Sequence, residues 1–142
     1  MKALRVVSGE RGTAQAVFGE RQRILIVEDD YIVASELANA LDDAGFEVSG
    51  IANTADEALR LARASRPTLA VVYIRLFGRR DGIEAAVELA RFDEIRSIFA
   101  TAHNDAGTRG RAQAANPLGW LRKPYTMEAA VAAVKAALAQ LG

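Results

Sequence analysis

From Arg23 onward the sequence repeats one pattern, a short apolar run that favours a strand followed by a segment with helical period, and few folds accommodate it. Ile24-Leu25-Ile26-Val27 is continuous, β-rich and stops at Glu28-Asp29-Asp30, as a parallel strand buried on both faces should. Ile32, Val33, Leu37, Ala40 and Leu41 then recur at helical spacing, with Gly45 as a stop signal. A second strand over 47–52 leads to Thr54, which has Glu57 three residues on, the spacing of a capping box. Strands are expected again at 69–74, 95–101 and 118–121. The helices between them carry Ile83, Ala86, Val87 and Ala90, or span 105–115, and a closing helix covers 126–141. A helical crossover between successive strands returns the chain to the starting edge and makes the strands run parallel, so the expected fold is α/β: a doubly wound five-stranded parallel sheet with helices on both faces, a three-layer sandwich.

A chain of 142 residues that is 51% hydrophobic can bury one real core. Residues 1–22 show no sustained period and read as a poorly packed leader, leaving 23–142 as the folded domain. Lys and Arg number 18 against 18 Asp and Glu, so no net charge draws the chain toward nucleic acid or an anionic membrane. The absence of cysteine removes disulfides, thiolate metal sites and cysteine nucleophiles together. No apolar run approaches the roughly 20 residues of a membrane span, and the expected location is cytoplasmic.

In open parallel sheets ligands bind beyond the carboxyl ends of the strands. Those ends bring Glu28-Asp29-Asp30, Tyr73, Thr101 and Lys123-Pro124 to one rim. In order and spacing, "ILIVEDD", "PTLAVVYIRLFGRRDG", "FATA" and "GWLRKPY" resemble the receiver domains of response regulators in two-component phosphorelay signalling, whose fold is CheY-like and flavodoxin-like. The resemblance implies that Glu28 and Asp29 correspond to the acidic pair at the divalent cation, Asp29 being the direct ligand. It also implies that Thr101 and Lys123 contact phosphoryl oxygens, that Trp120 is the aromatic switch, and that Pro124 follows a cis peptide. The surface of residues 104–141 becomes the expected contact face for a histidine kinase or downstream effector, with homodimerisation as another route of output.

One position departs from the pattern, because the phospho-accepting aspartate should fall at Tyr73. A phenol with a reference pKa of about 10 is neither an acyl-phosphate former nor a good magnesium ligand. Magnesium is therefore expected to bind weakly at best, and no cofactor is assigned. The leading expectation is a phosphorylation-independent receiver, not an enzyme, acting by protein–protein interaction. Its alternatives are phosphoryl transfer to another carboxylate, Asp30 or Asp81, and a small nucleotide-binding enzyme. The last lacks both G-x-G-x-x-G and a phosphate-loop lysine motif. Arg75, Arg79 and Arg80, on the loop after Tyr73, could reach back to Glu28 and Asp29. His103 is the one histidine and, without partners, is assigned no role.

Overall fold

The computed structural model describes residues 21–76, 78–102 and 106–142; His103 and most of the 1–22 leader lie outside them. The strands are β1 (Arg23–Val27), β2 (Glu47–Ala52), β3 (Leu69–Tyr73), β4 (Arg96–Thr101) and β5 (Gly119–Arg122). The helices are α1 (Tyr31–Asp43), α2 (Ala55–Ser65), α3 (Gly82–Asp93), α4 (Ala106–Ala112) and α5 (Met127–Leu141). All strand pairs are parallel, in the order β2-β1-β3-β4-β5. Because the chain passes over β1 on its way from β2 to β3, the strand order reverses between β1 and β3. The carboxyl ends of these two strands flank the crevice where such sheets bind ligands.

Alternation along the strands divides the core in two. Leu25, Val27, Ala70, Val72 and Phe99 face α2, α3 and the short 3-10 turn Gln113–Ala115. Ile24, Ile26, Leu69, Val71, Tyr73, Ile98 and Ala100 face α1 and α5. The period of two therefore fixes Tyr73 on the α1/α5 side, in line with Val71.

Local chemistry sets the ends of the helices. Asp30 caps α1, its carboxylate accepting from the backbone N–H groups of Ile32 and Val33. At the other end Gly45 takes φ +98°, and the Phe46 and Gly45 N–H groups donate to Leu41 and Asp42 carbonyls, a Schellman closure that explains the stop signal. Ile32, grouped by its spacing with the core face, is instead 73% exposed, because Ala34, Leu37 and Leu41 are the buried positions of α1. Thr54 caps α2 as expected, yet the Glu57 carboxylate accepts from Asn53 N–H, one residue before the cap. The reciprocal capping box occurs at Asp81 and Glu84, at the start of α3. The helix expected over 105–115 is α4 followed by the 3-10 turn, which Asn116 closes in the left-handed region.

Gly82 holds the start of α3 against the end of β3. Its N–H donates to Ile74 O at 2.7 Å, and a Cβ placed on it would lie 2.1 Å from Tyr73 O and 2.7 Å from Val72 Cγ1. No side chain fits without moving backbone next to Tyr73. The Gly82→Ala variant is expected to lose about 1–3 kcal/mol of stability in urea unfolding, and an unchanged midpoint would show that α3 docks on β3 more loosely than this.

Candidate functional site

The rim at the β1/β3 switch is built from three strand ends and the loop after β5. Glu28 follows β1 and is 3% exposed. Its backbone N–H continues the pairing to Ala52 O, and its Oε2 accepts from Asp30 N–H at 3.2 Å. Asp29, next in the chain, is half-buried, while Asp30 is committed to capping α1. Of the acidic triplet, only Glu28 is deeply enclosed.

Tyr73 ends β3, 1% exposed, with Thr101 buried at the end of the neighbouring β4. Lys123 reaches the same place from the β5 end, because its N–H donates to Thr101 O and extends the β4–β5 pairing. Its ammonium lies 3.8 Å from Glu28 Oε1 and 4.4 Å from the centroid of the Tyr73 ring. A cation over an aromatic face is attracted to the ring quadrupole, by about 0.5–2 kcal/mol depending on desolvation. The Lys123–Pro124 peptide is cis, and Tyr125, next in sequence, tilts against Tyr73 with ring centroids 6.4 Å apart.

Burial dominates the electrostatics. It pushes the Glu28 carboxyl up to about 7, helped by the hydrogen bond with Asp29; the Asp30 N–H and the Lys123 charge pull it down only in part. Burial, followed by the Glu28 charge, also raises the Tyr125 phenol. The hydroxyls of Tyr73 and Tyr125 are both buried and have no hydrogen-bond partner among the described residues.

These residues do not fit a magnesium site. A hard cation needs a near-octahedral set of oxygens, usually anchored by one or two ionised carboxylates. Here the enclosed carboxyl resists ionisation, a lysine ammonium already faces it, and an aromatic ring stands at the end of β3. No group of three or more metal-ligating side chains occurs among the described residues.

Arg80 pairs with Asp56 at 3.1 Å and Glu88 at 2.9 Å, joining α2 to α3, and no ion pair links Arg75, Arg79 or Arg80 to Glu28 or Asp29 among the described residues. The cation facing Glu28 is Lys123. Asp81 caps α3 and pairs with Arg111 at 2.7 Å. Trp120 packs against Phe99 with centroids 5.1 Å apart, and the Arg109 guanidinium lies 4.7 Å over its ring. Its half-burial combines a core contact with a contact to α4. Tyr125 and Arg109 escaped the sequence reading. Adjacency to Lys123-Pro124 was a usable signal for Tyr125, whereas Arg109 lies on a short helix with no apolar period to orient it.

The model of the response regulator receiver domain family matches residues 24–135, and the chain belongs to that family. It is 31% identical over 119 residues to the transcriptional regulatory protein PdtaR of Mycobacterium tuberculosis, covering 84% of this chain and 58% of that protein. Identity to the phyllosphere-induced regulator PhyR of Methylorubrum extorquens is 32% over 103 residues, 72% of this chain and 38% of that protein. The chain thus spans about half the length of the curated relatives it matches. Among solved structures, the signal receiver domain of a modulated diguanylate cyclase from Desulfovibrio desulfuricans superposes with a TM-score of 0.78 at 35% identity, covering 85% of this chain and 96% of that one. A LuxR-family two-component response regulator from Aurantimonas gives 0.77 at 29% identity, over 85% and 87%. The chain is a receiver domain of the response-regulator type found in two-component signalling.

The enclosure of Glu28 yields a pH prediction. Its folded value, about 7, lies above the ordinary 4.5, so the folded state holds the proton more tightly. Stability from the protonated carboxyl is therefore present in full below about 4.5 and is lost as pH rises through 7. In the absence of added divalent cations, Glu28→Gln is expected to gain on the parent across that window, by on the order of 3 kcal/mol at most. Urea unfolding across the pH range measures this, and parallel curves for parent and variant would contradict it.

Proposed function

We propose that this chain is an atypical receiver that signals by protein–protein contact without aspartyl phosphate. The observation that carries the reading is Tyr73, fully enclosed at the end of β3 with the Lys123 ammonium on its ring. By its resemblance to the family, this is the place of the phospho-accepting aspartate. The lysine that would meet a phosphoryl oxygen meets an aromatic face and a carboxyl group instead. Thr101, Lys123 and Trp120 keep the positions of the phosphoryl-contact and switch residues, while Glu28 and Asp29 retain the acidic pair without a third carboxylate. Asp30 and Asp81, the alternative acceptors, serve as helix caps, and Asp81 also pairs with Arg111.

The partners in this reading are proteins, a histidine kinase or an effector, met through the face formed by residues 104–141. Trp120 under Arg109 lies on that face. The module is not an enzyme and acts in the cytoplasm. No helix among the described residues is long and apolar enough to cross a membrane.

Intact-mass measurement after incubation with acetyl phosphate and magnesium tests the reading. The parent should gain no phosphoryl group, and one mapped to an aspartate on most molecules would overturn the proposal. Tyr73→Asp should incorporate phosphate and be stabilised by magnesium more than the parent, although losing the aromatic ring costs about 3–5 kcal/mol. A folded variant with neither response would show that Tyr73 is not aligned with the acceptor.

A further inference from the structure

Charge is unevenly shared along the chain. Residues 104–141 carry Arg109, Arg111, Arg122, Lys123 and Lys135 against Asp105 and Glu128, a surplus of three positive charges where the 18 cationic and 18 anionic side chains of the whole chain cancel. Two of the five cations are committed, Lys123 to Glu28 and Arg111 to Asp81. Arg122 is exposed, and its side chain takes no ion pair or hydrogen bond among the described residues.

Two of these cations stand beside one indole. β5 is an edge strand whose side chains alternate, so Trp120 and Arg122 share a face roughly 7 Å apart. Arg109, exposed on α4, lies 4.7 Å over the Trp120 ring, which also packs on Phe99. A guanidinium has five N–H donors in its plane, and contact with a ring face spends none of them. α4 resists adjustment little, since it buries only Ala112 and contains Gly107 and Gly110. Tryptophan and arginine are the side chains in which interfaces concentrate their binding energy.

Taking residues 104–141 as the partner face, as proposed above, we infer that the partner meets it through an acidic segment that also carries an apolar side chain. Its carboxylates pair with Arg109 and Arg122, and its apolar group rests on the half-buried Trp120 ring. A neutral or basic segment in the same place would leave two guanidinium groups losing water without gaining a counter-charge, so Arg109 and Arg122 select the partner by its charge.

Trp120 is the one tryptophan of the chain, so its emission reports on this site alone. The probes are a short tryptophan-free peptide of Glu and Leu residues and its twin with Lys for every Glu, titrated at low ionic strength while amide shifts of the isotope-labelled protein locate the contact. The Glu peptide should change Trp120 emission saturably, shift amides on α4 and β5, and bind about tenfold or more tighter than the Lys twin. Arg122→Glu, a change on an exposed strand edge, should weaken the Glu peptide about tenfold, and Arg122→Lys by less. Arg109→Gln should weaken it as well, with Arg122→Glu deciding the matter where loss of the ring contact loosens α4. Equal affinity for the two peptides on α4 and β5, or a Glu-peptide affinity unmoved by Arg122→Glu, overturns the acidic preference and leaves the partner face standing. Shifts confined to other elements, such as α1 or α2, overturn the partner face and the acidic preference together. The absence of a saturable response to either peptide at millimolar concentration overturns the inference too.

Discussion

At the carboxyl edge of the sheet one ammonium group answers two needs. Lys123 faces a carboxyl group that burial resists ionising and, 4.4 Å away, the face of an aromatic ring that closes the space beside it. An enclosed carboxylate without a counter-charge would be costly there. The lysine meets both neighbours from one position.

The sheet makes this meeting unavoidable. Reversal of strand order puts the ends of β1 and β3 side by side, the alternation along β3 turns Tyr73 toward the α1/α5 layer, and pairing of Lys123 with Thr101 carries the lysine across from the other side. Gly82 seals the arrangement, since any side chain there would strike the backbone of Tyr73. Rearranging the pocket would disturb strand pairing and helix docking together.

Much of the fold could be read from residues alone, because the strands are continuous apolar runs and the stops carry their own chemistry, as at Gly45 and Asp30. The rim residues were legible for a related reason: each ends a strand, and strand ends converge in any parallel sheet. What could not be read were contacts decided by side-chain reach. Nothing in the spacing distinguishes Arg80, which turns to Asp56 and Glu88, from an arginine folding back on Glu28. Ile32 fits the helical period as well as Leu37 does, and only packing shows that its side of α1 faces out. Glu57 and Glu84 sit at the same offset from a cap, yet only Glu84 closes the reciprocal pair.

Lys123 and Tyr73 stabilise one another directly, and a double-mutant cycle isolates that interaction. Unfolding free energies of the parent, Tyr73→Leu, Lys123→Met and the double variant give the coupling between the two side chains. A favourable coupling of about 0.5–2 kcal/mol, persisting at high salt because the ring carries no net charge to screen, is the expected result. A coupling indistinguishable from zero would show that the ammonium rests near the ring without interacting with it, and would contradict the account.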